Sequence, residues 1–150
     1  MAAAAEAALA PFHSDGSENP YAIHDDLQQV MQDLVGIIRT ESEMEMALKE
    51  IAGLRQRIAN MRVGGQRRYN PGWNLSLDLR NMLLVSETVA KAALERKESR
   101  GGHTRDDYPM TDEYWAKQNV VVELSGDEVT IRVQPLPVPP PELAELLEDH

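Results

Sequence analysis

The 150-residue chain contains no cysteine. Disulfides, thiolate metal sites and cysteine nucleophiles are therefore excluded, and the composition is compatible with a reducing compartment. Long apolar runs are also missing: LVGII at residues 34–38 is among the longest, far short of the roughly 18 to 20 residues of a spanning helix, so no direct membrane insertion is expected. Positive charge is scarce, with 15 Lys+Arg against 25 Asp+Glu and a formal net charge of −10. Such a field repels phosphate and argues against a general affinity for nucleic acid or an anionic membrane surface. No GxGxxG follows a strand, and GxxxxGK[ST] and HExxH are absent. The N-terminal MAAAAEAALA lacks a basic n-region and carries Glu6, so it makes a poor signal peptide and is expected instead to be the tail of a helix within a longer chain.

A chain of this length can bury one sizeable core. Asn19-Pro20 opens a first helix, with Ile23, Leu27, Val30, Met31, Leu34 and Ile38 on one stripe and an expected end near Arg39. Thr40 and Glu43 form a capping box that starts a second helix. Its seam, Met44, Ala47, Ile51, Leu54, Ile58 and Met61, steps by three and four up to Gly64-Gly65. After the turn-forming QRRYNPGW, a third helix carries Leu75, Leu79, Met82, Ser86, Val89 and Ala93, widened by Leu83, Ala90 and Leu94. Stripes of Met, Leu and Ile are core far more often than cofactor boxes. The fold class is thus mainly α: an antiparallel three-helix bundle, spectrin-repeat-like, with a small C-terminal β-hairpin and a Pro-rich tail. The hairpin is signalled by VVVEL and VTIRV around Ser125, Gly126, Asp127 and Glu128, and it must lean on the bundle because an isolated hairpin is marginal. Beyond it LPVPPP forbids regular pairing, residues 136–147 are expected to be disordered, and Pro141 is placed at the start of a short acidic helix. The expected divisions are 1–18, a remnant of a preceding helix and loop; 19–110, the bundle with its charged loop; and 111–150, the hairpin and tail.

Charge is distributed unevenly, −5 over residues 1–62, +2 over 63–109 and −7 over 110–150. The cationic third ends in RKESRGGHTRDDYP (residues 96–109), with four cationic and three anionic side chains, one histidine and two adjacent glycines. His103 with Asp106 and Asp107 is a weak metal set, and a Ser99–His103–Asp106 triad is weaker still because nothing suggests an oxyanion hole. The stronger reading of the residues is an ionic clamp: Arg100 and Arg105 as fork-shaped donors, Asp106 and Asp107 as acceptors, and the Gly pair allowing a sharp turn. Spacing alone leaves open whether the clamp grips its own bundle or another domain.

Three stretches, at residues 27–55, 77–109 and 112–122, resemble in order the C-terminal helical domain of the flavoprotein subunit of succinate dehydrogenases and fumarate reductases. The E-S-R-G-[AG]-H-x-R-x-D-[FY]-P signature is met at Glu98, Ser99, Arg100, Gly101, Gly102, His103, Arg105, Asp107, Tyr108 and Pro109. L-aspartate oxidases share the ESRG-H core, whereas Asp112-Glu113-Tyr114-Trp115-Ala116-Lys117 looks more like the succinate/fumarate enzymes. The resemblance implies that the full-length enzyme uses FAD to interconvert succinate and fumarate and passes electrons to an iron–sulfur subunit. The flavin-binding domain of the same subunit and that iron–sulfur subunit would be the partners. The complex would be cytoplasmic and peripheral on the inner face of the cell membrane. It also implies that the flavin, substrate and proton-handling residues lie upstream, so no catalytic, cofactor-binding or metal residue is assigned here, and the 150 residues alone are expected to be inactive. Arg100, His103, Arg105 and Asp107 would serve as interdomain or subunit contacts. The rivals are a free-standing helical interaction module that uses the cationic third to hold an acidic partner, and a metal-dependent hydrolase centred on His103.

Overall fold

The structure, a computed structural model, describes residues 2–140 and Leu143. In chain order the elements are α1 (Ala2–His13), α2 (Pro20–Leu34), β1 (Ile38–Arg39), α3 (Glu41–Ile58), α4 (Pro71–Glu95), β2 (Thr104–Arg105), a 3-10 turn (Trp115–Lys117), β3 (Gln118–Ser125) and β4 (Glu128–Pro135). The protein is mainly helical with a small antiparallel hairpin. α2, α3 and α4 pack on one another around Ile23, Leu27, Ala47, Ile51, Leu54, Leu79, Leu83 and Ala90, all buried. Among the described residues no helix is long and apolar enough to cross a membrane.

The helix starts follow local chemistry. The Asn19 carboxamide accepts from the Tyr21 N–H at 2.9 Å, with Pro20 in the first turn. The Thr40–Glu43 capping box is complete: Glu43 returns to the Thr40 N–H at 2.8 Å. Asn70 and Pro71 repeat the Asn-Pro device, and Asn70 accepts from the Trp73 N–H at 3.0 Å, so α4 begins inside the segment expected to be a turn.

Helix ends depart from the apolar pattern. α2 stops at Leu34 rather than near Arg39, because Ile38 and Arg39 pair in parallel with Thr104 and Arg105, leaving Ile38 exposed. α3 stops at Ile58, short of Gly64-Gly65: Met61 bridges Glu18, and the Arg62 N–H donates to the Glu18 carbonyl at 3.0 Å. Gly16 permits that approach, since a Cβ there would lie 2.0 Å from the Asn60 carbonyl oxygen. Val89, assigned to the apolar stripe, is exposed. α1 extends to His13, into the expected loop, and is tied to α4 by Trp73, whose Nε1–H donates to the Ala8 carbonyl at 2.7 Å beside the Phe12 ring.

β3 and β4 pair in the register Val120 with Val133 and Val122 with Ile131, around a turn in which Gly126 has φ 63°. The hairpin leans on α4: Val129 is buried and Lys91 Nζ donates to its carbonyl at 2.8 Å. Residues 136–140 carry no regular secondary structure, and the acidic helix expected from Pro141 lies, Leu143 apart, outside the described residues.

Leu83 is fully buried between the helices. Leu83→Ala is expected to cost about 2–5 kcal/mol, read as a lower urea midpoint with an unchanged m-value.

Candidate functional site

At one end of the bundle α2 runs out, α3 begins and α4 terminates. A helix end leaves backbone groups without partners, carbonyls at its C-terminus and N–H groups at its N-terminus. The loop after α4 supplies both. Arg105 is fully buried, and its Nη1 donates to the carbonyls of Ala93 and Leu94 at 3.1 Å and of Arg96 at 3.4 Å. Its Nε and Nη2 make a two-pronged pair with Asp107, both bonds 2.7 Å. Asp107 Oδ2 in turn accepts from the Glu41 N–H, the first residue of α3, at 2.9 Å. A cation thus sits at the negative end of α4 and an anion at the positive end of α3. The Arg105 guanidinium, with help from the Glu41 N–H, holds the Asp107 carboxyl at about 2.

A second buried hub is Glu98, with no exposed surface. It accepts from Arg96 Nε at 2.8 Å, Arg100 Nε at 3.0 Å, Arg100 Nη2 at 3.2 Å and the Asp112 N–H at 2.8 Å. Burial alone would push its carboxyl up; the bonds from Arg100, Asp112 and Arg96 outweigh that and hold it at about 2. Arg96 also donates to the Trp115 carbonyl at 3.1 Å and lies over the Trp115 ring, tying the buried tryptophan to the end of α4. Between the hubs, Gly101 at φ 59° makes the turn that lets Arg100 and His103 exchange backbone hydrogen bonds of 2.8 and 3.1 Å.

A family model described as fumarate reductase flavoprotein C-term matches residues 24–145. The chain belongs to that family. It is 39% identical over 111 residues, 72% of its length, to an uncharacterised FAD-dependent oxidoreductase of Methanocaldococcus jannaschii, and 42% identical over 88 residues, 56% of its length, to an L-aspartate oxidase of Yersinia pestis. It covers 19% and 15% of those two proteins. The solved Mycobacterium smegmatis Sdh1 in complex with UQ1 matches 97% of this chain at 49% identity with a TM-score of 0.90, over 25% of its own chain. The chain therefore spans a quarter or less of the length of each of these relatives.

Within this flavoprotein C-terminal fold the four residues expected at a contact surface divide. Arg105 is enclosed, with its donors committed inside the chain, and both Asp107 oxygens are engaged. The Arg100 side chain is 41% exposed and His103 is half-buried. The His103 Nε2–H donates to the Arg96 carbonyl at 3.1 Å. Burial, reinforced by the charges of Arg39, Arg105 and Arg96, moves its pKa below the usual histidine value in spite of that hydrogen bond. The candidate metal set does not converge: Asp106 is exposed, Asp107 serves Arg105, and the described residues contain no group of three His, Asp or Glu side chains arranged to hold an ion. Ser99 does not address His103 either; its Oγ accepts from the Arg105 N–H and donates to the Tyr108 carbonyl, both at 2.8 Å.

Sequence reasoning missed Glu98 as a hub and any role for Arg39. A carboxylate two residues from each of two arginines, just past a helix end, was the available signal for Glu98. Arg39 entered the sequence reading only as the expected end of the first helix, one residue past its apolar stripe.

Arg105→Met is expected to leave the buried α4 carbonyls without their donor, and Asp107 with only the Glu41 N–H, at a cost of about 1–3 kcal/mol; Arg105→Lys recovers only part, because an ammonium cannot reproduce the fork. Denaturant midpoints of both variants check this. The carboxyls of Glu98 and Asp107 lie below their ordinary values of 4.5 and 3.8. Their contribution is complete above those values and is lost as pH falls through the folded values. Unfolding free energy should therefore drop as pH falls from about 4.5 toward 2, with a flatter profile in Glu98→Gln, measured by urea titration at stepped pH.

Proposed function

We propose that this chain works as the C-terminal domain of an FAD-dependent flavoprotein subunit that interconverts succinate and fumarate and passes electrons to an iron–sulfur subunit. The observation that carries this reading is the match of nearly the whole chain, at 49% identity, to Sdh1, together with the family match over residues 24–145. FAD, the dicarboxylate and the proton-handling groups are assigned to the part of the polypeptide that the relatives possess and this chain does not span. In this reading residues 1–18 are the remnant of a preceding element, 19–110 the bundle with its loop, and 111–150 the hairpin and tail.

The domain's contribution is positional. Arg105 and Asp107 stiffen the loop from within, while Arg100 and His103 lie on the side a neighbouring flavin-binding domain or iron–sulfur subunit would meet. Hydride transfer to a flavin tolerates little slack, and a displacement of about 1 Å can cost orders of magnitude in rate. The assembled subunit would be peripheral on the inner face of the cell membrane. A second reading, the C-terminal domain of an L-aspartate oxidase, is favoured by the 42% identity to the Yersinia pestis enzyme.

Dye reduction by the full-length flavoprotein separates the two: succinate-dependent turnover is expected, and turnover with aspartate but not succinate overturns the first reading in favour of the second. The purified 150-residue chain is expected to show no flavin absorbance and no succinate-dependent dye reduction. Arg100→Ala in the full-length protein is expected to lower turnover together with domain or subunit attachment, seen as faster limited proteolysis; lost turnover with attachment and flavin content intact would move the loop into the active site.

A further inference from the structure

Of the carboxylates at the clamp end of the bundle, Glu98 and Asp107 are already taken, and Asp106 is exposed without pairing to Arg39. Glu98 serves Arg96, Arg100 and the Asp112 N–H, and Asp107 serves Arg105 and the Glu41 N–H. The Glu41 carboxylate stands 3.8 Å from Arg105 and 4.0 Å from Lys97. One guanidinium of this cluster is left over. Arg39, half-buried on β1, makes no ion pair with the described residues, and its Nε is the one buried side-chain nitrogen or oxygen among them without a hydrogen-bond partner. Its backbone position is fixed by the parallel pairing with Arg105 and by the Asp106 N–H, which donates to the Arg39 carbonyl at 3.1 Å. The next guanidinium along the pairing is that of Arg105, a like charge.

A buried donor without an acceptor costs about 1–3 kcal/mol, more when charged, and native structures rarely leave one unmatched. Desolvation and the neighbouring Arg105 charge both disfavour the cation, in the direction expected of a group whose counter-charge is missing. The two preceding residues, Ile37 and Ile38, are 75% and 62% exposed. A free small anion would neutralise Arg39 but leave that apolar pair in water, whereas a protein surface carrying a carboxylate covers both.

We propose that Arg39, with Ile37 and Ile38 beside it, is a docking site for an acidic side chain on the portion of the flavoprotein polypeptide that this chain does not span, the Asp or Glu carboxylate accepting from the Arg39 guanidinium. The proposal rests on the C-terminal-domain reading and deepens it: it places the attachment charge on a residue outside the ESRGGH loop, because the arginines within that loop are internally neutralised.

Phenylglyoxal labelling of arginines with a peptide mass readout, in the isolated chain and in the full-length flavoprotein, tests it. Arg39 should label in the isolated chain and be slowed by about tenfold or more in the full-length protein, while Arg105 labels slowly in both. Arg39→Met should leave the isolated chain's Tm unchanged within about 2 °C, or raise it, yet bring hydrogen exchange over residues 35–40 of the full-length protein up to the isolated-chain level. Arg39→Lys should fall between. Protection of Arg39 without any effect of Arg39→Met on exchange overturns the docking charge and leaves the domain reading intact. Equal labelling in both proteins overturns the docking site, and equal exchange over residues 35–40 as well overturns attachment through this end of the domain. A Tm loss of about 5 °C or more in isolated Arg39→Met assigns Arg39 an internal role and overturns the proposal. Protection of Arg39 in the isolated chain by succinate or inorganic phosphate alone assigns the site to a free anion and likewise overturns it.

Discussion

The pairing of Arg105 with Asp107 is the constraint on which the rest of this domain's end depends. One guanidinium closes α4 by taking the carbonyls of Ala93 and Leu94 and that of Arg96 just past its end, and the carboxylate it holds opens α3 by accepting the Glu41 N–H. Two helices that meet only through apolar side chains can slide along each other at modest cost. Here their ends are fixed to one planar, two-pronged ion pair whose bonds have little tolerance in direction. The parallel pairing of residues 38–39 with 104–105 follows, because the loop that carries Arg105 into the interior must pass alongside the chain that leads into α3. Charge buried this way is expensive unless every donor is used, which is why the loop is dense in residues that serve one another.

Much of this was legible in the sequence where the signal is local. Asn19-Pro20 and Thr40 with Glu43 announce helix starts because a cap is a bond between residues two or three apart. The hairpin could be read from two β-branched runs and a glycine, because its partner strand lies a turn away. The helix ends at Leu34 and Ile58 could not, since both are set by pairing with distant segments, Thr104–Arg105 for the first and Glu18 for the second. Val89 and Ile38 fit an apolar period and still face outward, for periodicity records what a helix can bury and not whether a neighbour arrives. Asn70-Pro71 carried the same start signal as Asn19-Pro20 and was masked by the turn-forming residues around it.

The charged loop shows the same division more sharply. Its composition identified a clamp, and its glycines a turn, since both properties belong to the residues themselves. The object of the clamp was not legible, because an arginine's reach of several ångströms is compatible with an internal or an external carboxylate. Burial decides for Arg105: a side chain with no exposed surface in the separate domain has nothing to offer a neighbour directly. The cationic third of the sequence is thereby less cationic as a surface than its count suggests, with Arg96 and Arg100 spent on Glu98 and Arg105 on Asp107.

Neutralising the loop from within has a consequence for recognition. Binding pays for the ordering of flexible side chains and loops, and a surface ordered before contact loses less. Because Glu98 and Ser99 hold the loop at its start and Asp107 and Tyr108 near its end, the Gly101–Gly102 tip and the β1 strand beside it are presented as one stiff ledge. A partner meeting that ledge finds apolar Ile37 and Ile38, the half-exposed Arg100 fork, and at Arg39 a cation that no residue of the clamp satisfies. Specificity at such a surface comes less from the number of charges than from the one whose position is fixed and whose partner is missing.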